Sequence, residues 1–311
     1  MEREISEISD EDMPSLFRIA DQASQDAQWW YLLLVSANLT VLVVASVLAS
    51  IQLSPSKISI IRWLEGGSVF LFALGATLTI VLQNRPFRDK WYDGRSIAES
   101  VKTISWRYMM KADPYGKEND SSDVDSQFLE DLRGVLREGN VPPVVTDPRA
   151  ASGDQITSTM RQVRAFKTAE RWNIYKHERI DDQKNWYSNN ATKNRKWKTL
   201  IFAGVVGAQI IALVFSIATI VKPTITFDPG GVIATIATAL LAWLQAKRYE
   251  ELSKSYSVAA QDLGMVADEA KEVNTEEQLT NFVADAENAI SREHTLWLAR
   301  RDHLSSISER L

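Results

Sequence analysis

Cysteine is absent from all 311 residues, which removes disulfides, thiolate nucleophiles and thiolate metal ligands together. Histidine is scarce. His177, His294 and His303 are the only three, and none stands at metal-ligand spacing with a second ligand on one helix face. Phosphate-cradling glycine loops, dinucleotide fingerprints and nucleophile elbows are missing as well. The acidic group Asp120, Asp123 and Asp125 lacks the following glycine and the closing glutamate of a calcium loop, and reads as solvated linker. Basic residues are interspersed with acidic ones at a net charge of −5, which argues against nucleic acid as a partner. Catalytic, cofactor-binding and metal residues are therefore expected to be none, and no enzyme is expected.

Charge is also missing in four particular places. Residues 32–53, 66–82, 200–221 and 230–244 contain no Asp, Glu, Lys or Arg. About 20 apolar residues cross the roughly 30 Å of a bilayer's hydrocarbon. The first and third runs reach that length, and the second and fourth are shorter. Phe227 in front and Gln245 behind bring the last one near the limit. A soluble pair of buried helical hairpins is the competing account. Four uncharged runs in a chain with 24% charged residues favour the membrane.

The four runs form two hairpins that carry matching tags. Arg-Ile-x-Asp-Gln precedes each, at Arg18, Ile19, Asp21 and Gln22 and again at Arg179, Ile180, Asp182 and Gln183. Gly66-Gly67 and Gly230-Gly231 open the second span of each pair, and Leu82-Gln83 and Leu244-Gln245 close it. Ser96 to Ala98 and Ser257 to Ala259 follow. Four tags in the same order, each displaced by 161 to 164 residues, indicate a duplicated membrane module.

Basic residues flank the spans on one side: Arg85, Arg88 and Lys90, then Lys193, Arg195, Lys196 and Lys198, then Lys247 and Arg248. The turns inside the hairpins hold only Lys57 and Lys222, with Arg62 just beyond the first. The positive-inside rule thus expects the middle segment and both termini in the cytoplasm. The acidic start (Glu2, Glu4, Glu7, Asp10, Glu11, Asp12) lacks the basic region of a cleavable signal.

Outside the spans the chain reads as helix, so the fold class is an all-α membrane protein. Four transmembrane helices form two duplicated hairpins with long cytoplasmic helical extensions. An apolar stripe through Ile156, Met160, Val163, Trp172, Tyr175, Ile180 and Trp186, with no Pro or Gly over 155–203, predicts a single helix running into the third span. Exit helices are expected after the second span (Ile97, Val101, Ile104, Trp106) and after the fourth (Leu252, Tyr256, Leu263, Val266). Thr275 with Gln278 reads as a capping box opening a last helix through Phe282, Val283, Ala286, Ile290, Leu296 and Leu298. The segment 113–154 is rich in turn formers (Pro142-Pro143, Asp147-Pro148). It holds one short helix, capped by Ser126, apolar at Phe128, Leu132, Val135 and Leu136, and stopped by Gly139. Strand has no candidate beyond Val144-Val145. The domains are then 1–112, a first two-span module; 113–154, a cytoplasmic linker; and 155–311, a second two-span module.

The run Thr157-x-x-Met160-Arg161-x-x-Arg164, followed by Arg171, Tyr175, Arg179, Asp182-Gln183 and Trp186-Tyr187 ahead of a hairpin, resembles the SLATT superfamily. That superfamily comprises the SMODS and SLOG-associating two-transmembrane effector domains. Trp243, Leu252, Tyr256 and Ala259-Ala260 share the likeness, as do Glu287, Ser291, Glu293-His294 and Trp297. Trp91, Arg95, Ala98-Glu99, Lys102 and Trp106-x-Tyr108 resemble a second SLATT subtype in tandem. The resemblance implies a bacterial inner-membrane effector that forms pores or perturbs the membrane in a nucleotide-signalled defence or conflict system. It brings no catalytic residues. No sensor domain accompanies the modules in this sequence, so a separate nucleotide-sensing protein or a second messenger is expected as the trigger.

Weakly polar residues populate the spans, and close helix packing is their ordinary role. As a set they can line an aqueous path once subunits associate. Asn38, Thr40, Gln209 and Ser216 are the pore-lining candidates, and Arg18, Asp21, Arg179 and Asp182 are the candidates for the cytoplasmic mouth. Four short helices enclose little space, so a homo-oligomer embedded in membrane lipid is implied. A non-conducting scaffold that recruits cytoplasmic partners is the alternative. A transporter is disfavoured, because the spans lack a charged midplane site.

Overall fold

The computed structural model describes residues 8–51, 58–116, 121–138, 153–221, 229–269 and 273–291. Beyond a single 3-10 turn at Asp10–Asp12, the described residues form helices and their connections, with no strand among them. In chain order these are α1 (Ser15–Ser50), α2 (Ile58–Asn84), α3 (Phe87–Met109), α4 (Ser121–Glu138), α5 (Ser158–Ala165) and α6 (Thr168–Tyr175). A π-helical turn (Lys176–Asp181) follows, then α7 (Asp182–Val221), α8 (Pro229–Lys247), α9 (Tyr249–Glu269) and α10 (276–291). The turn residues Lys57 and Lys222, the linker residues Gly139, Pro142, Pro143, Val144, Val145, Asp147 and Pro148, and Glu293, His294, Leu296, Trp297, Leu298 and His303 lie outside the described residues.

The fold is all-α, and local chemistry explains several helix ends. Pro229 opens α8, where its fixed φ suits the first helical position and its missing N–H costs nothing. Thr157 caps α5 by accepting from the Met160 N–H at 3.2 Å. The capping box read from the sequence forms at the start of α10. There the Gln278 N–H donates to Thr275 Oγ1 at 3.2 Å, and the Thr275 N–H to Gln278 Oε1 at 3.1 Å.

Two helical expectations change. Ser126 does not cap α4. It lies inside an 18-residue helix that begins five residues earlier, and its hydroxyl donates back to the Ser122 carbonyl at 2.8 Å. The stretch 155–203 is not one helix. Phe166 and Lys167 take extended backbone between α5 and α6, although neither Pro nor Gly stands there. Tertiary contacts override propensity at this point. Phe166 packs on the core and its carbonyl accepts from Arg171 Nε at 3.2 Å, while the Lys167 N–H finds Glu170 Oε2 at 3.0 Å.

The chain forms two compact units that do not follow chain order. One gathers residues 1–27, 88–191 and 254–311; the other gathers 28–87 and 192–253. The first, polar unit has a packed core. Met13, Leu16, Phe17 and Ala20 of the N-terminal part meet Ile97, Val101, Trp106 and Met109 of α3. Phe128 and Leu132 of α4, Met160 and Val163 of α5, Leu263 of α9, and Leu279, Val283 and Ala286 of α10 complete it. Gly94 permits a close approach of α3 to α1. A Cβ there would meet the Ala20 carbonyl oxygen at 3.0 Å and the Ser24 backbone nitrogen at 3.1 Å, while Ser24 Oγ donates to the Trp91 carbonyl at 2.9 Å.

The second unit is its inverse. Among the described residues four helices are long and apolar enough to cross a membrane, and only 6% to 11% of each apolar window is buried. Trp63 is 81% exposed, Ile220 78% and Phe70 67%. Exposed apolar area on this scale is unfavourable in water, at about 25 cal/mol per Å². A soluble hairpin would bury it. These are helices built to face lipid, and the protein is a multi-pass membrane protein.

Candidate functional site

The span candidates separate into two kinds. Asn38 is half-buried and turned toward its own hairpin, where its Nδ2 donates to Thr79 Oγ1 at 3.2 Å. Thr79 in turn donates to the Gly75 carbonyl at 3.0 Å. A Cβ on Gly75 would meet Leu42 Cδ2 at 2.9 Å, so the glycine sets the approach of α2 to α1 that brings the amide within reach. Asn38 Oδ1 is buried without a hydrogen-bond partner. Thr40 is exposed, with its hydroxyl turned back to the Ser36 carbonyl at 2.8 Å. Gln209 and Ser216 are both exposed on α7, and the Gln209 amide has no partner among the described residues. The structure thus places Asn38 inward and Gln209 outward.

The four mouth candidates lie in the polar unit, in unlike surroundings. Arg18 is exposed, and Gly153 lies against it: a Cβ there would come within 2.9 Å of Arg18 Nη2. Asp21 accepts from Gln25 Nε2 at 2.6 Å. Partial burial and then the Asp10 carboxylate push its pKa up, against the Gln25 hydrogen bond and the charges of Arg95 and Lys102. Asp182 is exposed and accepts from Gln183 at 3.3 Å.

Arg179 is wholly buried and belongs to a network that its tag alone does not reveal. Its Nε donates to Glu287 Oε1 at 2.9 Å and its Nη2 to Glu287 Oε2 at 2.8 Å, a bidentate pair with both side chains at 0% exposure. Tyr175 donates to the same Oε1 at 3.0 Å and Thr103 to Oε2 at 2.9 Å. Burial opposes the charged guanidinium, but the Glu287 charge and hydrogen bonds outweigh it and hold Arg179 above its ordinary pKa. Burial and then the Glu287 charge push the Tyr175 phenol well up.

One turn earlier, Arg171 is 1% exposed and donates to the Met110 carbonyl at 2.5 Å. Its Nη2 meets both carboxylate oxygens of Glu276, at 2.6 and 2.5 Å. Two arginines from α6 and the π-helical turn thereby clamp α10 at Glu276, its first residue, and again at Glu287. Sequence reading singled out Arg171 and Glu287 only as carriers of a resemblance, and Tyr175 also as part of an apolar stripe. The usable signal was the four-residue spacing of 171, 175 and 179, which puts three hydrogen-bonding side chains on one apolar face.

The network contains no activated nucleophile. Its carboxylates are occupied by guanidinium and hydroxyl donors, and what it does chemically is hold helices together. Among the described residues no group of three or more His, Asp or Glu side chains is placed to hold a metal ion.

The fold defines a class first: an all-helical, multi-pass membrane protein with a separately packed polar body. The model for SMODS and SLOG-associating 2TM effector domain 3 matches residues 14–172, and the model for domain 1 of the same series matches residues 175–297. The chain belongs to the SLATT family, with two subtypes in tandem, and is a membrane effector of the kind found in conflict systems. Such domains have no known enzymatic activity. No curated protein and no solved structure matches the chain.

Proposed function

We propose that the protein acts as an oligomer in the bacterial inner membrane. It opens a pore, or otherwise perturbs the bilayer, in response to a nucleotide-linked signal in a defence or conflict system. In this reading both termini and the polar unit face the cytoplasm. The observation that carries the proposal is Gln209, an exposed amide without a partner among the described residues, set in a charge-free span. Leaving an amide unsatisfied in hydrocarbon costs several kcal/mol. A neighbouring copy or a water-filled path removes that cost, and Ser216 and Thr40 are exposed in the spans as well. The clamp on α10 gives the polar unit a defined resting arrangement that a signal could release.

One observation favours the alternative, a non-conducting scaffold. Asn38, the other strongly polar span residue, bonds within its own hairpin. Conductance of the purified chain in planar bilayers, with and without cyclic nucleotides, separates the readings. Gln209→Leu is expected to leave assembly intact and to abolish both conductance and growth arrest on overproduction. Asn38→Leu is expected to lower expression or assembly instead. Normal assembly with undiminished toxicity in Gln209→Leu removes the pore-lining role, and a silent wild-type bilayer under every condition favours the scaffold.

A further inference from the structure

The polar unit contains a cavity of about 240 Å³ walled by α3, α4, α7 and α10. At about 30 Å³ per water, that is room for about eight waters or a small organic molecule. Its lining divides by chemistry. Ile104, Val135 and Ile290 supply apolar surface, while Glu99, Thr103, Arg107 and Tyr187 bring polar groups. An apolar chamber with a few convergent polar groups is the usual form of a small-molecule site.

Those polar groups are not equally satisfied. Glu99 pairs with Arg95 at 3.1 Å, and Thr103 donates to Glu287 at 2.9 Å. Arg107 gives its Nη2 to a neutral acceptor, Asn288 Oδ1, at 2.8 Å. Its Nε is buried and has no hydrogen-bond partner among the described residues. A buried N–H on a charged group is costly to leave unpaired. An anion in the cavity would accept from it and balance the guanidinium at the same time. The lining also bounds the charge of that anion. Among the described residues Arg107 is the only Lys or Arg in it, and the Glu99 carboxylate lies there too, which disfavours a doubly charged phosphate.

We infer that this cavity binds a small organic monocarboxylate, with its carboxylate on Arg107 and its apolar body against Ile104, Val135 and Ile290. Thr103 both lines the cavity and bonds Glu287, so the ligand sits beside the clamp on α10. The inference uses only the packing of the polar unit and stands whether or not the protein conducts.

The test is a fluorine NMR titration of the full chain in lipid nanodiscs with para-fluorophenylpropionate, whose line broadens on binding. The neutral para-fluorophenylpropionamide and the doubly charged para-fluorophenylethyl phosphate are the comparison probes. The wild type is expected to bind the carboxylate saturably and each of the other two about tenfold more weakly. Arg107→Gln is expected to weaken the carboxylate about tenfold and to leave the amide unchanged. Val135→Trp, which fills the chamber, is expected to abolish binding of both. Lys167→Gln, at an exposed lysine of the polar unit, is expected to change neither. Absence of saturable carboxylate binding by the wild type overturns the site, and this arm needs no variant to fold. Equal affinity for carboxylate and amide also overturns it, because the cavity is then an apolar hole whose guanidinium is satisfied by water. Tighter binding of the phosphate overturns the monocarboxylate assignment.

Discussion

Arg18 and Arg179 occupy the same place in two copies of one tag, yet the first is exposed and the second is fully buried. The backbone supplies the reason. In the first copy the tag lies in the regular α-helix Ser15–Ser50, where Phe17 and Ala20 turn to the core and Arg18 turns away. In the second copy the tag begins in a π-helical turn, which holds Arg179 and Ile180, both buried like Tyr175 just before it, and ends in α7. The available partners differ as well. Glu287 of α10 pairs with Arg179, whereas two acids of α4, which follows the first hairpin, are engaged by other residues. Asp125 receives Tyr108 at 2.6 Å and also pairs with Arg161, and Asp131 receives Tyr115 at 2.5 Å. Repetition in sequence therefore does not make repetition in environment. A one-residue change in helical pitch decides whether a guanidinium serves the core or the surface.

The largest expected effect breaks the buried half of this comparison. Glu287→Ala leaves Arg179 buried without its counter-charge, and such a loss typically costs about 3–5 kcal/mol. Arg18→Ala is expected to change stability by less than about 0.5 kcal/mol. Thermal melting of the purified chain, followed by circular dichroism, measures both. A double change, Arg179→Met with Glu287→Leu, should recover part of the loss, because an apolar pair carries no unpaired charge. Equal effects of Arg18→Ala and Glu287→Ala would show that the two tags are equivalent after all.

Much of the architecture was legible in the sequence because the physics behind it is local. Charge-free runs of spanning length and the Thr275–Gln278 box are each read within a few residues of one another. The break at Phe166–Lys167 was not legible, since no Pro or Gly marks it and the core contacts of Phe166 and Arg171 produce it. The Arg179–Glu287 pair was hidden for a related reason. Its partners stand 108 residues apart, and no local pattern announces a π-helical turn. Gln209 and Asn38 looked alike in sequence, and only the neighbouring helix distinguishes them.

A smaller effect concerns the outer of the two clamps on α10. Burial tends to raise the pKa of Glu276, but the hydrogen bonds from Arg171 and Thr168 outweigh it and hold the carboxyl below its usual value. A depressed folded-state pKa contributes stability above the unfolded value, and this is lost as pH falls through the folded one. Glu276→Gln should therefore cost about 1 kcal/mol or less at neutral pH, since Glu276 is partly exposed. The difference from wild type should close once the pH falls below the ordinary glutamate range. Melting curves from neutral to acidic pH test this, and a gap that persists in acid would mean the clamp is not held by charge.

The smallest effect sharpens the comparison at the acids of the two tags. Asp21 is half-buried, and its pKa is raised by burial and by the Asp10 carboxylate. Asp182 is exposed and lies against Gln183. For an acid with a raised folded-state pKa the sign is opposite to that of Glu276. The charged form is disfavoured in the folded chain, so Asp21 detracts from stability at neutral pH, and the deficit fades as pH falls through its folded value. Asp21→Asn removes the charge and keeps an acceptor for Gln25. It should stabilise the chain slightly at neutral pH, by less than about 0.5 kcal/mol, and lose that advantage on acidification. Asp182→Asn, at the exposed acid beside Gln183, is the matched comparison. Matched melting of the two variants over the same pH series decides the point. A gain of the same size and pH dependence in both would mean that partial burial does not distinguish the acids of the two tags.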